Sequence, residues 1–205
     1  MENLILGFLT GGSLILAIGP QNLFVIEQGL KRNFVFTITS ICAVSDVLLI
    51  FLGIFVYQFF GSITKELIIL LNIVLILFLI NFIKDKFEDF KNTYNIKSSK
   101  PGNIKNIVLK TLGFTYLNPH VYSDTVFILG NFSKNFTTES KLLFACGASI
   151  ASILFFYSLG YLASSFKKFI NKRNTWKYIN IFIIVFMTCL VFYIVNETLI
   201  TYSHI

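Results

Sequence analysis

Charged residues are scarce in this sequence: Asp, Glu, Lys and Arg make up 13% of its 205 residues. Soluble domains carry about 25% of these residue types. Hydrophobic residues reach 55% and the mean hydropathy is +0.75. So few charges exclude a soluble domain of this size, because they cannot cover its surface. The excess apolar surface must contact lipid, which predicts an all-α integral membrane protein.

Cysteines and catalytic motifs are also few or missing. The three cysteines, Cys42, Cys146 and Cys189, lie in apolar runs and form no CxxC pair, which predicts small, buried, reduced side chains. A different function that would use these cysteines is that of a membrane redox protein. No P-loop, glycine-rich nucleotide motif or HExxH motif occurs. We therefore expect no enzyme, no metal and no cofactor. If the protein transports a solute, a gradient must drive the transport unless a separate ATPase takes part.

Six apolar stretches are candidates for membrane spans, which need about 20 residues each. They cover residues 4–26, 34–60, 67–83, 107–129, 142–166 and 178–200. The fourth is the least apolar, and losing it would leave five spans. No basic residue precedes the first stretch, which is therefore predicted to stay as a membrane helix and not to be cleaved as a signal peptide.

Lys and Arg residues are distributed unevenly between the predicted loops. All but three of the 17 lie in or beside the loops after the first, third and fifth stretches, the exceptions being Lys65, Lys134 and Lys141. Cytoplasmic loops are enriched in Lys and Arg, so both termini are predicted to lie on the side of the membrane away from the cytoplasm. The net charge of +7 then reflects cytoplasmic loops and not a nucleic-acid partner.

Prolines number only three, and two of them interrupt apolar stretches, in the GPQN motif at 19–22 and the NPH motif at 118–120. A basic segment, 84–106, is predicted to be a cytoplasmic linker between two three-helix units, 1–83 and 107–205. Because three is odd, the second unit would insert upside down. The sequence thus predicts six transmembrane helices as two inverted repeats, with proline-broken helices one and four.

A proline-broken helix leaves backbone polar groups unpaired in the middle of a membrane. Lipid cannot satisfy these groups, so each break must face protein or a wet cavity. Amide side chains flank both prolines and supply polar ligands. The predicted site residues at the two breaks are Gly19, Pro20, Gln21, Asn22, Asn118, Pro119 and His120. Two ordinary helix kinks are the simpler alternative.

Two carboxylates also fall inside apolar stretches, Asp46 in the second and Asp124 in the fourth. A charge at the centre of a membrane helix costs about 2.5–3.5 kcal/mol on insertion scales, so it must face the protein interior or water. Helical spacing places Asp124 on one face with His120, which is either a proton shuttle or a neutral hydrogen-bond donor. The carboxylates suit a cationic substrate, a proton relay or both; alternatively, they accept hydrogen bonds that lock helix packing.

Other residues are predicted to be structural. Glu27 precedes Lys31 and Arg32 and is expected to pair with this basic cluster at the interface rather than to bind substrate. Small residues at helical spacing are expected to permit close helix packing. These residues are Gly7, Gly11, Gly12, Gly147 and Ala151.

The motifs resemble those of the lysine/arginine exporter family of bacterial inner membranes. They are GPQN at 19–22, QGLKR at 28–32, Ser45-Asp46, and LNPHVYSDT at 117–125. The glutamine after Gly-Pro and the histidine after Asn-Pro resemble the basic-amino-acid branch more than the homoserine/threonine branch. Ser123 departs from the family, in which an apolar residue is common at this position.

The resemblance implies export of L-lysine or L-arginine, energised by the membrane potential or by protons as the coupling ion. It also implies a six-helix fold and a homodimer in the lipid bilayer. The functional residues that it implies are Gly19, Pro20, Gln21, Asn22, Asp46, Asn118, Pro119, His120 and Asp124. An exporter of neutral amino acids, or of another small solute such as a cation, is the main alternative.

Overall fold

The structure is a computed structural model that describes residues 1–16, 19–60, 65–92, 103–166 and 173–203. Regular structure in these ranges is helical throughout, with no strand among them. The elements are α1 (Glu2–Ile15), α2 (Pro20–Lys31), α3 (Val35–Phe60), α4 (Lys65–Asn92), α5 (Ile104–Tyr116), α6 (Pro119–Tyr122), a π-helical segment (Ser123–Ile128), α7 (Leu129–Ser133), α8 (Thr138–Ser165) and α9 (Arg173–Ser203).

Three of the described helices are long and apolar enough to cross a membrane. They supply the candidate spans Val35–Val56 in α3, Thr138–Ser165 in α8 and Lys177–Asn196 in α9. Helices α1 and α2, bent by 81° relative to each other, pass the same test only together, as a broken span or a re-entrant loop. These apolar helices identify an all-helical, multi-pass membrane protein.

Each predicted proline break is the start of a new helix. Pro20 is the first residue of α2, and Pro119 is the first residue of α6. Proline fits this position because its missing N–H would have no partner within the helix there. At both positions the chain ends one helix and begins another, so neither proline lies within a single kinked helix.

Two sequence-based expectations differ from the structure. Helix α4 continues to Asn92, so residues 84–92, predicted to begin the linker, are helical; apolar character ends near Ile83, but the Lys and Glu residues that follow still favour helix. Residues 93–102 of the predicted linker lie outside the described residues. The fourth predicted helix is not α-helical throughout, because it turns π-helical at Ser123.

Helix α8 lies at the centre of the packing and contacts α1, α2 and α3 along its length. Glycines allow α1 to approach it closely. A Cβ atom at Gly7 would lie 2.9 Å from Cα of Phe144, and one at Gly11 would lie 2.8 Å from Cβ of Ala148. The predicted close packing through small residues is therefore confirmed in the contact between α1 and α8.

The three cysteines are free, and only Cys42 is buried. Cys146 is half-buried, and Cys189 is exposed on the face of α9 that also exposes Phe182 and Val185. The prediction of buried cysteines is thus wrong for Cys189. An apolar environment on the outer face of a membrane helix accepts this small side chain as readily as the core does.

Candidate functional site

The two helix breaks and both membrane carboxylates line one cavity of about 340 Å³. Ligand pockets usually measure about 300–1,000 Å³, so the cavity suits a small ligand. Pro119 is not part of its wall and lies between two residues that are. The predicted site residues that line the cavity are Gly19, Pro20, Gln21, Asn22, Asp46, Asn118, His120 and Asp124.

The two breaks lie close together across the cavity. A Cβ atom at Gly19 would be 4.0 Å from Nδ2 of Asn118. Gln21, in the first turn of α2, donates a hydrogen bond from Nε2 to Oγ1 of Thr115 at 3.1 Å. Because Thr115 lies in the last turn of α5, this bond holds the start of α2 against the end of the helix before the second break.

Both asparagines satisfy backbone groups at the breaks. Oδ1 of Asn118 accepts a hydrogen bond from the backbone N–H of His120 at 3.2 Å and so caps α6. Nδ2 of Asn22 donates to the carbonyl oxygen of Ile15, the last residue of α1, at 3.2 Å. Helix ends leave such groups without intrahelical partners. The asparagines therefore stabilise the broken helices as well as lining the cavity.

Asp46 is carried by α3 and is only 3% exposed. Its Oδ2 accepts a hydrogen bond from Oγ of Ser152, in α8, at 3.0 Å. A buried carboxylate requires such a partner because desolvation is costly. Asp46 therefore joins α3 to α8 through this bond while it lines the cavity.

Asp124 lies in the π-helical segment and is half-buried. This segment packs against α3 at Gly53, where a Cβ atom would lie 2.5 Å from Cα of Val126. The absence of a side chain at Gly53 therefore lets the helix that carries Asp46 approach the segment that carries Asp124. Single π-helical turns occur frequently at functional sites.

Three polar residues of the cavity wall, Thr125, Ser152 and Tyr193, were not predicted. Tyr193 extends from α9, and its ring stacks on His120 with centroids 6.4 Å apart. Ser152 could have been predicted, because it and Ser149 are polar residues one helical turn apart in an apolar stretch. Tyr193 could not have been predicted, since nothing in the sequence around it distinguishes it from the other eight tyrosines.

Residues 12–198 of this chain match the family described as LysE type translocator. The match includes both breaks and both carboxylates of the cavity. The chain belongs to the LysE-type translocator family. Members of this family translocate solutes, so the protein is a transporter and not an enzyme. The predicted family resemblance is confirmed.

Relatives within the LysE-type family match almost the full length of the chain. The arginine exporter protein ArgO of Klebsiella pneumoniae subsp. pneumoniae is 34% identical over 93% of this chain and 92% of its own. ArgO of Salmonella typhimurium is 33% identical with the same coverage. The lysine exporter LysE of Corynebacterium diphtheriae is 30% identical over 91% of this chain and 96% of its own. No solved structure matches the chain.

Proposed function

We propose that this translocator exports basic L-amino acids, lysine and/or arginine, from the cytoplasm across the bacterial inner membrane. The observation that carries the proposal is that Asp46 and Asp124 line the same cavity as the ends of two broken helices. Intramembrane carboxylates beside helix breaks suit a substrate that carries a cation at one end. Relatives named as arginine and lysine exporters support the same substrate class.

The two ends of the substrate meet opposite charges in the cavity. Its ammonium or guanidinium group pairs with Asp46 and Asp124. Its α-carboxylate meets the N-terminus of α2, where the helix dipole favours an anion. The amides of Gln21, Asn22 and Asn118 set the orientation between these ends.

Export of a cation requires an energy source. The inside-negative membrane potential opposes outward movement of one positive charge by about 2.3 kcal/mol per 100 mV. Inward movement of a proton in exchange offsets this cost. Asp46 and Asp124 are the proposed proton carriers, with His120 beside them as a relay, which makes the protein a proton antiporter.

The proposed membrane arrangement has six spans in two inverted units, 1–83 and 107–205, with a cytoplasmic linker at 84–106 and both termini outside. The helix contacts support it. Helices α1 and α2 pack on α8, as α5, the π-helical segment and α7 pack on α3. Helix α3 also contacts α8, and α4 contacts α9. The two units correspond if α1 and α2 are matched with α5 to α7, α3 with α8, and α4 with α9. Exchanging the units then gives the same set of contacts, as a twofold relation between them requires.

Efflux from living cells tests the proposal. Bacteria that lack their own basic-amino-acid exporters are given the gene, loaded with lysine- or arginine-containing dipeptides, and followed for release of both amino acids. We expect faster release of at least one than from cells with an empty vector. Release of neutral amino acids alone, or none with the protein present in the membrane, would contradict the proposal and favour a neutral-amino-acid or cation exporter.

A further inference from the structure

A second buried carboxylate lies on α2, outside the cavity. Glu27 is 1% exposed, and its Oε1 pairs with Nζ of Lys31 at 2.6 Å and with Nζ of Lys86 in α4. Lys86 is itself only 5% exposed. The predicted interfacial pairing is thus correct for Lys31 but not for Arg32, whose Nε donates to the backbone oxygen of Ser164 instead.

The carboxylate of Glu27 has unused capacity to accept a hydrogen bond. Oε1 takes both ammonium groups, whereas Oε2 is buried without a hydrogen-bond partner among the residues that the structure describes. A buried acceptor without a partner is destabilising, because it has lost its hydrogen bonds to water. Oε2 therefore offers a place to another cationic donor.

An aromatic layer separates Glu27 from the cavity. Helical rise places Glu27 about 8 Å further along α2 than the cavity residue Asn22. Between these positions Phe24 packs against Phe114 of α5, with ring centroids 4.9 Å apart, and Phe114 packs against Phe82 of α4 at 5.0 Å. All three rings are buried. They pack α2, α4 and α5 together at this level of α2.

The ammonium group of Lys86 lies against the aromatic layer. Nζ of Lys86 lies 5.2 Å from the ring centroid of Phe82, so the ion pair with Glu27 lies directly against the aromatic layer. Helix α4 packs mainly on α9 and meets α2 at this level through Phe82 and Lys86. Loss of the ion pair would leave the rings as the main connection between α2 and α4 there.

We propose that Glu27 is a cytoplasmic loading site for the cationic group of the substrate, and that Lys86 occupies this site when substrate is absent. This inference rests on the proposed function and its orientation. The side chain of Lys86 ends in the same ammonium group as lysine. When the substrate cation pairs with Glu27, Lys86 is released, α4 separates from α2, and the aromatic layer opens towards Asp46 and Asp124.

The exchange is favourable because Glu27 never loses its counter-charge. Removing one partner of a buried ion pair is strongly destabilising because it leaves an uncompensated buried charge. In the exchange, the substrate cation takes the place of Lys86 beside Glu27. A neutral amino acid cannot make the replacement. Glu27 therefore selects cationic substrates before they reach the cavity.

Uptake into inside-out membrane vesicles tests the proposal, because their cytoplasmic face meets the added amino acid. Labelled arginine and lysine are supplied to vesicles with the unaltered protein, Glu27→Gln or Lys86→Met. We expect Glu27→Gln to raise the half-saturating concentration by about tenfold or more, since a charge-assisted contact is lost. We expect Lys86→Met to lower the half-saturating concentration, since the ammonium group of Lys86 no longer competes with the substrate for Glu27. Lys31 still pairs with Glu27 in this variant. The maximal rates should change far less.

Opposite shifts of the half-saturating concentration in these two variants distinguish a loading site from an ion pair that only holds α2 and α4 together. Shifts in the same direction, or none, would overturn the inference. The double variant with both changes removes both buried charges, so we expect it to fold even if Glu27→Gln does not. It should keep the raised half-saturating concentration, and an unaltered value would also overturn the inference.

A matched control lies at the same end of the molecule. Lys110 of α5 pairs with Asp85 of α4 at 2.7 Å, with both side chains partly exposed. Exposed ion pairs contribute little, so Asp85→Asn should leave uptake within about twofold of the unaltered protein. No uptake of arginine or lysine by the unaltered protein would refute the proposed function itself. Normal uptake with unshifted variants would refute the loading site alone.

Discussion

The two carboxylates of the cavity are held differently. Asp46 is buried and accepts a hydrogen bond from Ser152, whereas Asp124 is half-buried in the π-helical segment. Asp46 therefore has its position fixed by a neighbouring helix. Asp124 lies where the backbone departs from α-helical geometry. The proposed mechanism requires that both carboxylates reach the substrate cation. The hydrogen bond from Ser152 implies that the position of Asp46 depends on α8.

Ser152→Ala tests this dependence. The change removes the hydroxyl that donates to Asp46 at 3.0 Å. A hydrogen bond to a charged group contributes about 1.5–3 kcal/mol, so we expect a lower melting temperature in detergent and slower, though measurable, arginine export. Ser149→Ala is the matched control, because Oγ of Ser149 is buried without a hydrogen-bond partner among the described residues. Equal effects from both changes would contradict a role for the bond to Asp46.

At the scale of single elements, the second helix break depends on its cap. Asn118→Ala removes the side chain that caps α6 at the backbone N–H of His120. Loss of an N-cap costs about 0.5–2 kcal/mol, and here it also removes an amide from the cavity. We expect the variant to enter the membrane and to lose most of its arginine export.

Asn103→Ala is the control for that change. Asn103 caps α5 in the same way, by accepting from the backbone N–H of Lys105, but it is exposed and far along α5 from the break. Its replacement should cost similar stability and leave export intact. Equal loss of export in both variants would show that helix capping in general, and not the break, is what export requires.

The contact between α1 and α8 gives a second prediction for an element. A Cβ atom at Gly7 would lie 2.9 Å from Cα of Phe144, whereas the nearest atom to one at Gly12 would be 3.8 Å away, at Ala151. Overpacking typically costs about 1–3 kcal/mol. Gly7→Ala should therefore lower the thermal stability of the purified protein, and Gly12→Ala should leave it nearly unchanged. Indistinguishable melting temperatures would contradict the close helix approach.

At the scale of the whole molecule, sequence reasoning was most successful where the membrane forbids alternatives. Lipid accepts neither a broken helix nor an isolated carboxylate, so Pro20, Pro119, Asp46 and Asp124 stood out, and the structure places both breaks and both carboxylates at one cavity. Their roles in binding stay predictions.

Other features could not be read from hydropathy. The burial of Lys86 depends on a partner, Glu27, which lies 59 residues away along the chain. The π-helical segment that begins at Ser123 packs closely against Gly53 of α3. Tyr193 reaches the cavity only because α9 packs beside α4 and near α2. Each is set by contacts between distant parts of the chain.

The predicted membrane arrangement can be tested with reporters at the C-terminus. Six spans with basic loops inside place this terminus outside the inner membrane. Alkaline phosphatase fused there should be active, and green fluorescent protein should be dark. The reverse pattern, with the same fusions at a cytoplasmic control loop giving their normal signals, would contradict the orientation.

Exchange in proteoliposomes tests the central claim most directly, because no other transporter is present. Purified protein is reconstituted into vesicles loaded with unlabelled arginine, and the uptake of labelled arginine and lysine is followed. The proposed mechanism predicts uptake by the unaltered protein and none by Asp46→Asn, although that variant should insert and purify normally. Unimpaired exchange by Asp46→Asn would contradict the binding of the substrate cation by the two cavity carboxylates.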